Sequence, residues 1–147
     1  MNKLAEEYKG KIDFYAVYIL EAHPTDVWQM QSNVKDGVLF HSPTNEAERF
    51  GVANACVRKL GIHFPALVDG INNQVELAYT GWPDRLYLIG PGGRVLYKST
   101  PGPFGFHPDD LAAAMKKLPS RAIAPSSGSC TAMPLSISRV AGIAPVL

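Results

Sequence analysis

The sequence is short of cysteine, of net charge and of long apolar runs, and each shortage removes a class of protein. Two cysteines in 147 residues, Cys56 and Cys130, share no CxxC and no His/Cys ligand spacing. Neither a disulfide framework nor a structural metal is therefore expected. A formal charge of +1, with 18% charged residues, gives no electrostatic grip on nucleic acid. No apolar run is long enough to cross a bilayer, and Met1 to Gly10 is too charged for the apolar core of a signal peptide. The expectation is a cytoplasmic protein without membrane or nucleic-acid partners, acting on a small molecule or another protein.

A further scarcity divides the chain. From Pro119 to Leu147, 29 residues contain no acid and no aromatic, while Ala, Ser and Pro supply 15 of them. Its only charges are Arg121 and Arg139, so without it the formal charge falls from +1 to −1. Such a segment buries little and is expected to be a disordered or loosely docked low-complexity tail. Residues 1–118 are read as the domain, long enough for one core.

Within that domain, NKLAEEY (Asn2 to Tyr8) reads as a short helix stopped by Gly10. Phe14 to Leu20 is a nearly unbroken Val/Ile/Tyr-rich run, which suits a strand covered on both faces. Pro24 to Gln31 fits one or two helical turns, and Ser32 to Ser42 reads as loop. Thr44-Asn45-Glu46 can cap a helix with Phe50, Ala53, Val57 and Leu60 on one face and Gly61 at its end. Cys56 lies beside that face and is read as a small structural hydrophobe. A short strand, Phe64 to Asp69, is followed by a helix over Asn72 to Tyr79. Leu86 to Ile89 and Val95 to Tyr97 flank Gly-Pro-Gly-Gly, a hairpin. After the glycine and proline loop of Thr100 to Phe106, Pro108 opens a helix with Asp109 and Asp110 in its first turn and Leu111, Met115 and Leu118 as its stripe.

The chemistry gathers where the first strand ends, in DFYAVYILEAHPTDVW. Ligands of open α/β sheets sit beyond the carboxyl ends of strands, so Glu21 and His23 are placed for proton transfer. Spacing alone favours a plainer role, with Glu21 pairing and His23 stacking in the turn that Pro24 forces.

EAHPTDVW, FPALVDG, WPDRLYLIGPGGRVLY and PGPFGFHPDDL together resemble the iodothyronine deiodinase family, bacterial branch included, over about Leu4 to Leu118. The resemblance implies an α/β fold, a thioredoxin-like mixed sheet flanked by helices, with the first strand absent or replaced by the C-terminal tail. It also implies an oxidoreductase that removes iodide reductively from an aromatic substrate, with a thiol reductant as co-substrate and no cofactor. Glu21 and His23 match the family's EAH motif, implicated in proton delivery and in holding the substrate phenol. His41 matches the histidine of its following loop. Arg85 resembles an arginine at the start of the hairpin where a guanidinium can clamp a carboxylate; an ion pair with Asp84 or Asp69 is the alternative. Pro83 takes the place of the proline that precedes the hairpin. Trp28, Trp82 and Phe104 are read first as core and otherwise as the lining of an aromatic pocket, with Trp28 the one named as substrate-binding.

The family's nucleophile segment would precede Asn2, so the resemblance lacks it. The tail carries GSCTAMPL, Gly128 to Leu135, which is similar to the family's GSCT-nucleophile-Pro-Pro-Phe motif with Ala132 at the nucleophile position. Ala124 to Ser127 suits a buried strand poorly, so chance or tail degeneration outranks a working permutation. Were the tail to dock in the first-strand slot, Cys130 would stand two residues before that position and serve a weaker redox role. The competing reading is a degenerate, non-catalytic binding protein, whose bare sheet edge would favour a partner strand or a homodimer. A peroxiredoxin-like reductase is disfavoured, because no cysteine sits at a strand-to-helix junction inside the domain.

Overall fold

The computed structural model describes residues 1–35, 37, 39–118 and 138–143, with backbone alone for 32 and 138–143. Helix α1 (Asn2–Glu7) leads into β1 (Ile12–Tyr18), then α2 (Gln31–Lys35), α3 (Glu46–Lys59), β2 (Ala66–Val68) and α4 (Gln74–Tyr79). The hairpin β3 (Arg85–Ile89) and β4 (Val95–Lys98), α5 (Pro108–Lys116) and β5 (Ser138–Ile143) follow.

The five strands form one mixed sheet in the order β2-β1-β5-β3-β4. Strand β1 runs parallel to both β2 and β5, and β3 runs antiparallel to β5 and β4. This is the thioredoxin-like α/β sheet flanked by helices that the resemblance implies. Its first-strand slot, between β1 and β3, is taken by residues of the tail. Of the two expectations, a first strand absent or replaced by the tail, the structure shows the second for Ser138–Ile143. Two neighbouring strands each present a row of unsatisfied amides and carbonyls, and six extended residues supply both ladders at once. The interior edge expected to be bare for self-association is thereby occupied. Cys130 and Ala132, with the rest of GSCTAMPL, lie outside the described residues. The docked strand follows that motif in the chain instead of leading into it.

Strand alternation puts Ile12, Phe14, Leu86 and Leu88 on one face, where they meet Leu111 and Met115 of α5, with α1 packed at the rim. Farther along the same face Tyr18 meets Ala53 and Cys56 of α3. The opposite face carries Val17, Ile19 and Tyr87 against Val75 and Tyr79 of α4.

Local chemistry explains the element boundaries. Asn45 Oδ1 accepts the Glu48 amide at 3.0 Å, while Glu48 Oε2 accepts the Thr44 amide and hydroxyl at 2.8 and 2.9 Å, a reciprocal cap on α3. The buried stripe of α3 is Arg49, Ala53 and Cys56, and the expected Phe50 is 58% exposed. Arg49 is what turns the helix: its Nη1 donates to Gly70 O and Asn73 Oδ1 at 2.6 and 2.7 Å and ties α3 to the loop after β2. Pro24 to Gln31 is a turn at 25–27 and not a helix, and α2 begins at Gln31, inside the stretch read as loop. Long-range bonds hold the turn, with the Thr25 amide donating to Phe40 O at 2.8 Å. In the hairpin, Gly92 and Gly93 take positive φ of 77° and 81°, as the glycine-rich turn requires.

Candidate functional site at the carboxyl edge of the sheet

Register places the candidate residues on one edge. Leu67, Val17, Ile143 and Arg85 form a row across β2, β1, β5 and β3. Just beyond it stand Glu21 and His23 after β1, Asp69 after β2 and Asp84 before β3. Arg85 lies two strands from Val17, roughly 10 Å at ordinary strand spacing.

Glu21 is anchored by a residue that the sequence showed only as part of a strand. Tyr18 donates its phenol to Glu21 Oε1 at 2.7 Å, and Glu21 Oε2 is buried without a partner among the described residues. Burial, then the hydrogen bond to Glu21, pushes the Tyr18 pKa far above its ordinary value, so this phenol stays a donor. Cys56 packs against Tyr18, and burial likewise raises its thiol. The structural role read for Cys56 agrees with this, since a protonated thiol is a poor nucleophile.

His23 stacks edge-to-face on Trp28, with ring centroids 4.7 Å apart, and its Nδ1 lies 3.3 Å from Trp28 O. His41 is held from a second direction. Asp26 Oδ1 accepts the Ser42 amide and hydroxyl at 2.8 and 3.0 Å, and its Oδ2 faces His41 Nδ1 at 3.7 Å. Desolvation works against the Asp26 carboxylate, but the two Ser42 donors outweigh it and keep its pKa below the usual range. A cleft of about 520 Å³ opens beside His41, lined by Phe40, Pro43, Thr44, Glu48 and Val52 among others. Glu21, His23 and Arg85 do not line it.

Neither ion pair considered for Arg85 forms. The Asp69 carboxylate is spent on the amino end of α4, accepting the Val75 and Glu76 amides at 3.0 and 2.8 Å. Asp84 lies against Gly102, where any Cβ would fall 1.9 Å from Oδ2; its Oδ1 is buried without a partner among the described residues, and burial raises its pKa. Arg85 Nε is buried without a partner among the described residues, and Nη1 reaches Thr80 Oγ1 at 3.5 Å. Pro83 stands as expected before the hairpin, in a cis peptide with Trp82. The core reading of the three aromatics is corrected: Trp28 is 63%, Trp82 43% and Phe104 91% exposed. They sit on turns and loops outside the three buried clusters. Among the described residues, three of the five buried unpartnered polar side-chain atoms, on Glu21, Asp84 and Arg85, thus gather at this edge. That concentration is unusual in a folded interior and marks where a ligand would supply partners. Sequence reading missed Tyr18 and Asp26. The one available signal was a Tyr three residues before the Glu, and an Asp inside the EAHPTDVW block.

A family model described as iodothyronine deiodinase matches residues 1–119. The type I iodothyronine deiodinase of Xenopus laevis is 28% identical over 116 residues, covering 79% of this chain and 44% of that protein. The thyroxine 5-deiodinases of Ovis aries and Homo sapiens are each 30% identical over 117 residues, covering 79% of this chain and 38% and 36% of theirs. The chain spans less than half the length of these curated relatives. Among the described residues no helix is long and apolar enough to cross a membrane.

Proposed function

The chain belongs to the iodothyronine deiodinase family, and from that premise we propose a thiol-dependent reductive deiodination of an aromatic substrate at the carboxyl edge of the sheet. The observation that carries this reading is the set of buried, unsatisfied polar atoms at that edge among the described residues, on Glu21, Asp84 and Arg85, with His23 two residues after Glu21.

A thiolate attacks the iodine of an aryl iodide. The C–I bond breaks, an S–I bond forms, and the electron pair left on the ring carbon takes a proton. Glu21, with Tyr18 fixing one oxygen, and His23 are the residues assigned to that proton transfer. His41 is assigned to the substrate phenol, Trp28 to its ring and Arg85 to its carboxylate. A second thiol then attacks the sulfur of the S–I group, giving a disulfide and iodide. Cys130 is assigned as the nucleophile, the thiol reductant as co-substrate and the cytoplasm, where thiols stay reduced, as the setting.

A second reading is favoured by one observation. Cys56, the only cysteine among the described residues, is buried with a raised pKa. A chain without a reactive thiol would bind the aromatic ligand and not transform it. Incubation with an iodothyronine and a dithiol separates the two. Iodide release that is lost in Cys130→Ser supports the enzyme; no release from wild type leaves the binder. Release that survives the substitution removes Cys130 from the scheme.

A further inference from the structure

Two cations meet on one hydroxyl at the end of α4. Lys98 Nζ donates to Thr80 Oγ1 at 2.8 Å, and Arg85 Nη1 approaches the same oxygen at 3.5 Å. In the β3/β4 ladder Lys98 pairs with Tyr87, so it is the diagonal neighbour of Arg85 on the same face. Lys98 also lies over the Tyr87 ring, 5.5 Å from its centroid. Tyr87 is only 2% exposed and donates its hydroxyl to Tyr79 O, so the platform under Lys98 is rigid.

Thr80 itself is held in an unfavourable conformation. It is β-branched yet adopts φ 52°, in the left-handed region where a residue of its type is an outlier. Its hydroxyl donates to Tyr79 O at 2.6 Å, which turns its lone pairs toward the two cations. Strain of this kind persists where surrounding contacts over-determine it, and it concentrates at ligand sites. Two like charges are thus brought to one neutral acceptor. Among the described residues neither lies within salt-bridge distance of a carboxylate, and Arg85 Nε has no partner at all.

We infer that Lys98, Arg85 and Thr80 form a two-cation oxyanion site, which takes the carboxylate of the substrate, with Lys98 as the residue that sets the preference for a charged over a neutral end group. A carboxylate there would accept from Arg85 Nη1 and Lys98 Nζ, the two donors that converge on Thr80 Oγ1, and would relieve the repulsion between them. The inference rests on the deiodinase reading for the identity of the ligand, an aryl iodide bearing a carboxylate. Its test reads binding and not turnover, so loss of one does not entail loss of the other.

The full chain is titrated with N-acetyl-3-iodotyrosine and, separately, with its carboxamide, while backbone amide resonances are followed. The acid is expected to bind about tenfold tighter than the amide, as one added charge-assisted contact provides, and to shift the amides of Thr80, Arg85 and Lys98. Lys98→Gln, at an exposed position that does not threaten folding, should erase that preference, and Lys98→Arg should restore most of it. Thr80→Gly should weaken acid binding although it removes the backbone strain. Equal binding of acid and amide, binding of neither, shifts confined to other residues, or a preference that survives Lys98→Gln would each overturn the site and leave Lys98 and Arg85 as caps on the carboxyl end of α4.

Discussion

The two faces of the sheet are built to different standards. On one, Ile12, Phe14, Leu86, Leu88, Leu111 and Met115 form a dry core, with α1, α5 and, farther along, α3 laid over it. On the other, among the described residues, the six-residue helix α4 covers Val17, Ile19 and Tyr87, and Arg85 and Lys98 reach the exposed Thr80 hydroxyl at its end. Apolar burial is non-directional and scales with area, so the first face can hold the fold together whatever happens on the second. The second face is then free to carry strain, unpaired donors and an exposed cation. Neighbouring loops at the carboxyl edge share that licence, since among the described residues Glu21 and Asp84 also leave buried oxygens without partners.

Unequal stability is the first consequence to test. Leu111→Ala, at a fully buried position, should cost about 2–5 kcal/mol in urea denaturation. Val75→Ala, half-buried under the thin face, should cost roughly 1 kcal/mol. Equal losses would break the division of labour.

The converse applies to chemistry. Glu21→Gln should lower the rate of iodide release by about 10²-fold or more, the usual contribution of a positioned acid. Its denaturation midpoint should change little, because Tyr18 can still donate to the amide oxygen. A loss of stability without a loss of rate would return Glu21 to a structural role.

Arg49 is an intermediate case, a fully buried cation that serves structure. Arg49→Ala strips partners from Gly70 O and Asn73 Oδ1 and should cost about 2–3 kcal/mol, as unpaired buried polar groups do. Hydrogen exchange should locate the loosening in the 69–73 loop. Protection lost uniformly across the chain would show that Arg49 belongs with the core.

The smallest effect is pH-dependent and belongs to the segment beside His41. Asp26 and Glu48 have native pKa values below their ordinary 3.8 and 4.5, Asp26 through the Ser42 donors and Glu48 through the Thr44 amide and hydroxyl. A carboxylate with a depressed native pKa adds stability above its unfolded pKa and loses it as pH falls through the native one. The joint between the 25–27 turn and the 40–42 segment should therefore loosen below about pH 4, seen as Trp28 fluorescence changing before global unfolding. In Asp26→Asn that early change should be diminished; an unaltered acid transition would remove Asp26 from the joint.

Much of the fold could be read directly from local patterns. The GPGG turn between two apolar runs gave the hairpin, Thr44-Asn45-Glu46 gave the start of α3, and Pro108 with two aspartates gave α5. These rest on bonds between near neighbours. The Arg49 stripe on α3, the Asp69 cap on α4 and the end of the 25–27 turn depend on partners from about 6 to 24 residues away, and composition does not reveal them. Of the site, Glu21, His23, His41 and Arg85 were visible as chemistry-bearing types at the ends of strands or through the family pattern. Tyr18 was hidden because an aromatic inside a strand looks the same whether it fills space or holds a carboxylate.

By itself the sequence determined the family, most of the elements between Met1 and Leu118 and the residues that gather at the carboxyl edge, because periodicity, turn chemistry and motif spacing act locally. Tertiary structure alone decided which segment fills the slot between β1 and β3, which face is dry, and which donors are left without partners. A strand of Ser138–Ile143, whose composition left it disordered or loosely docked, is stabilised there by two ladders it cannot make alone. The two cations over Thr80 likewise meet only because antiparallel pairing brings Lys98 diagonally opposite Arg85.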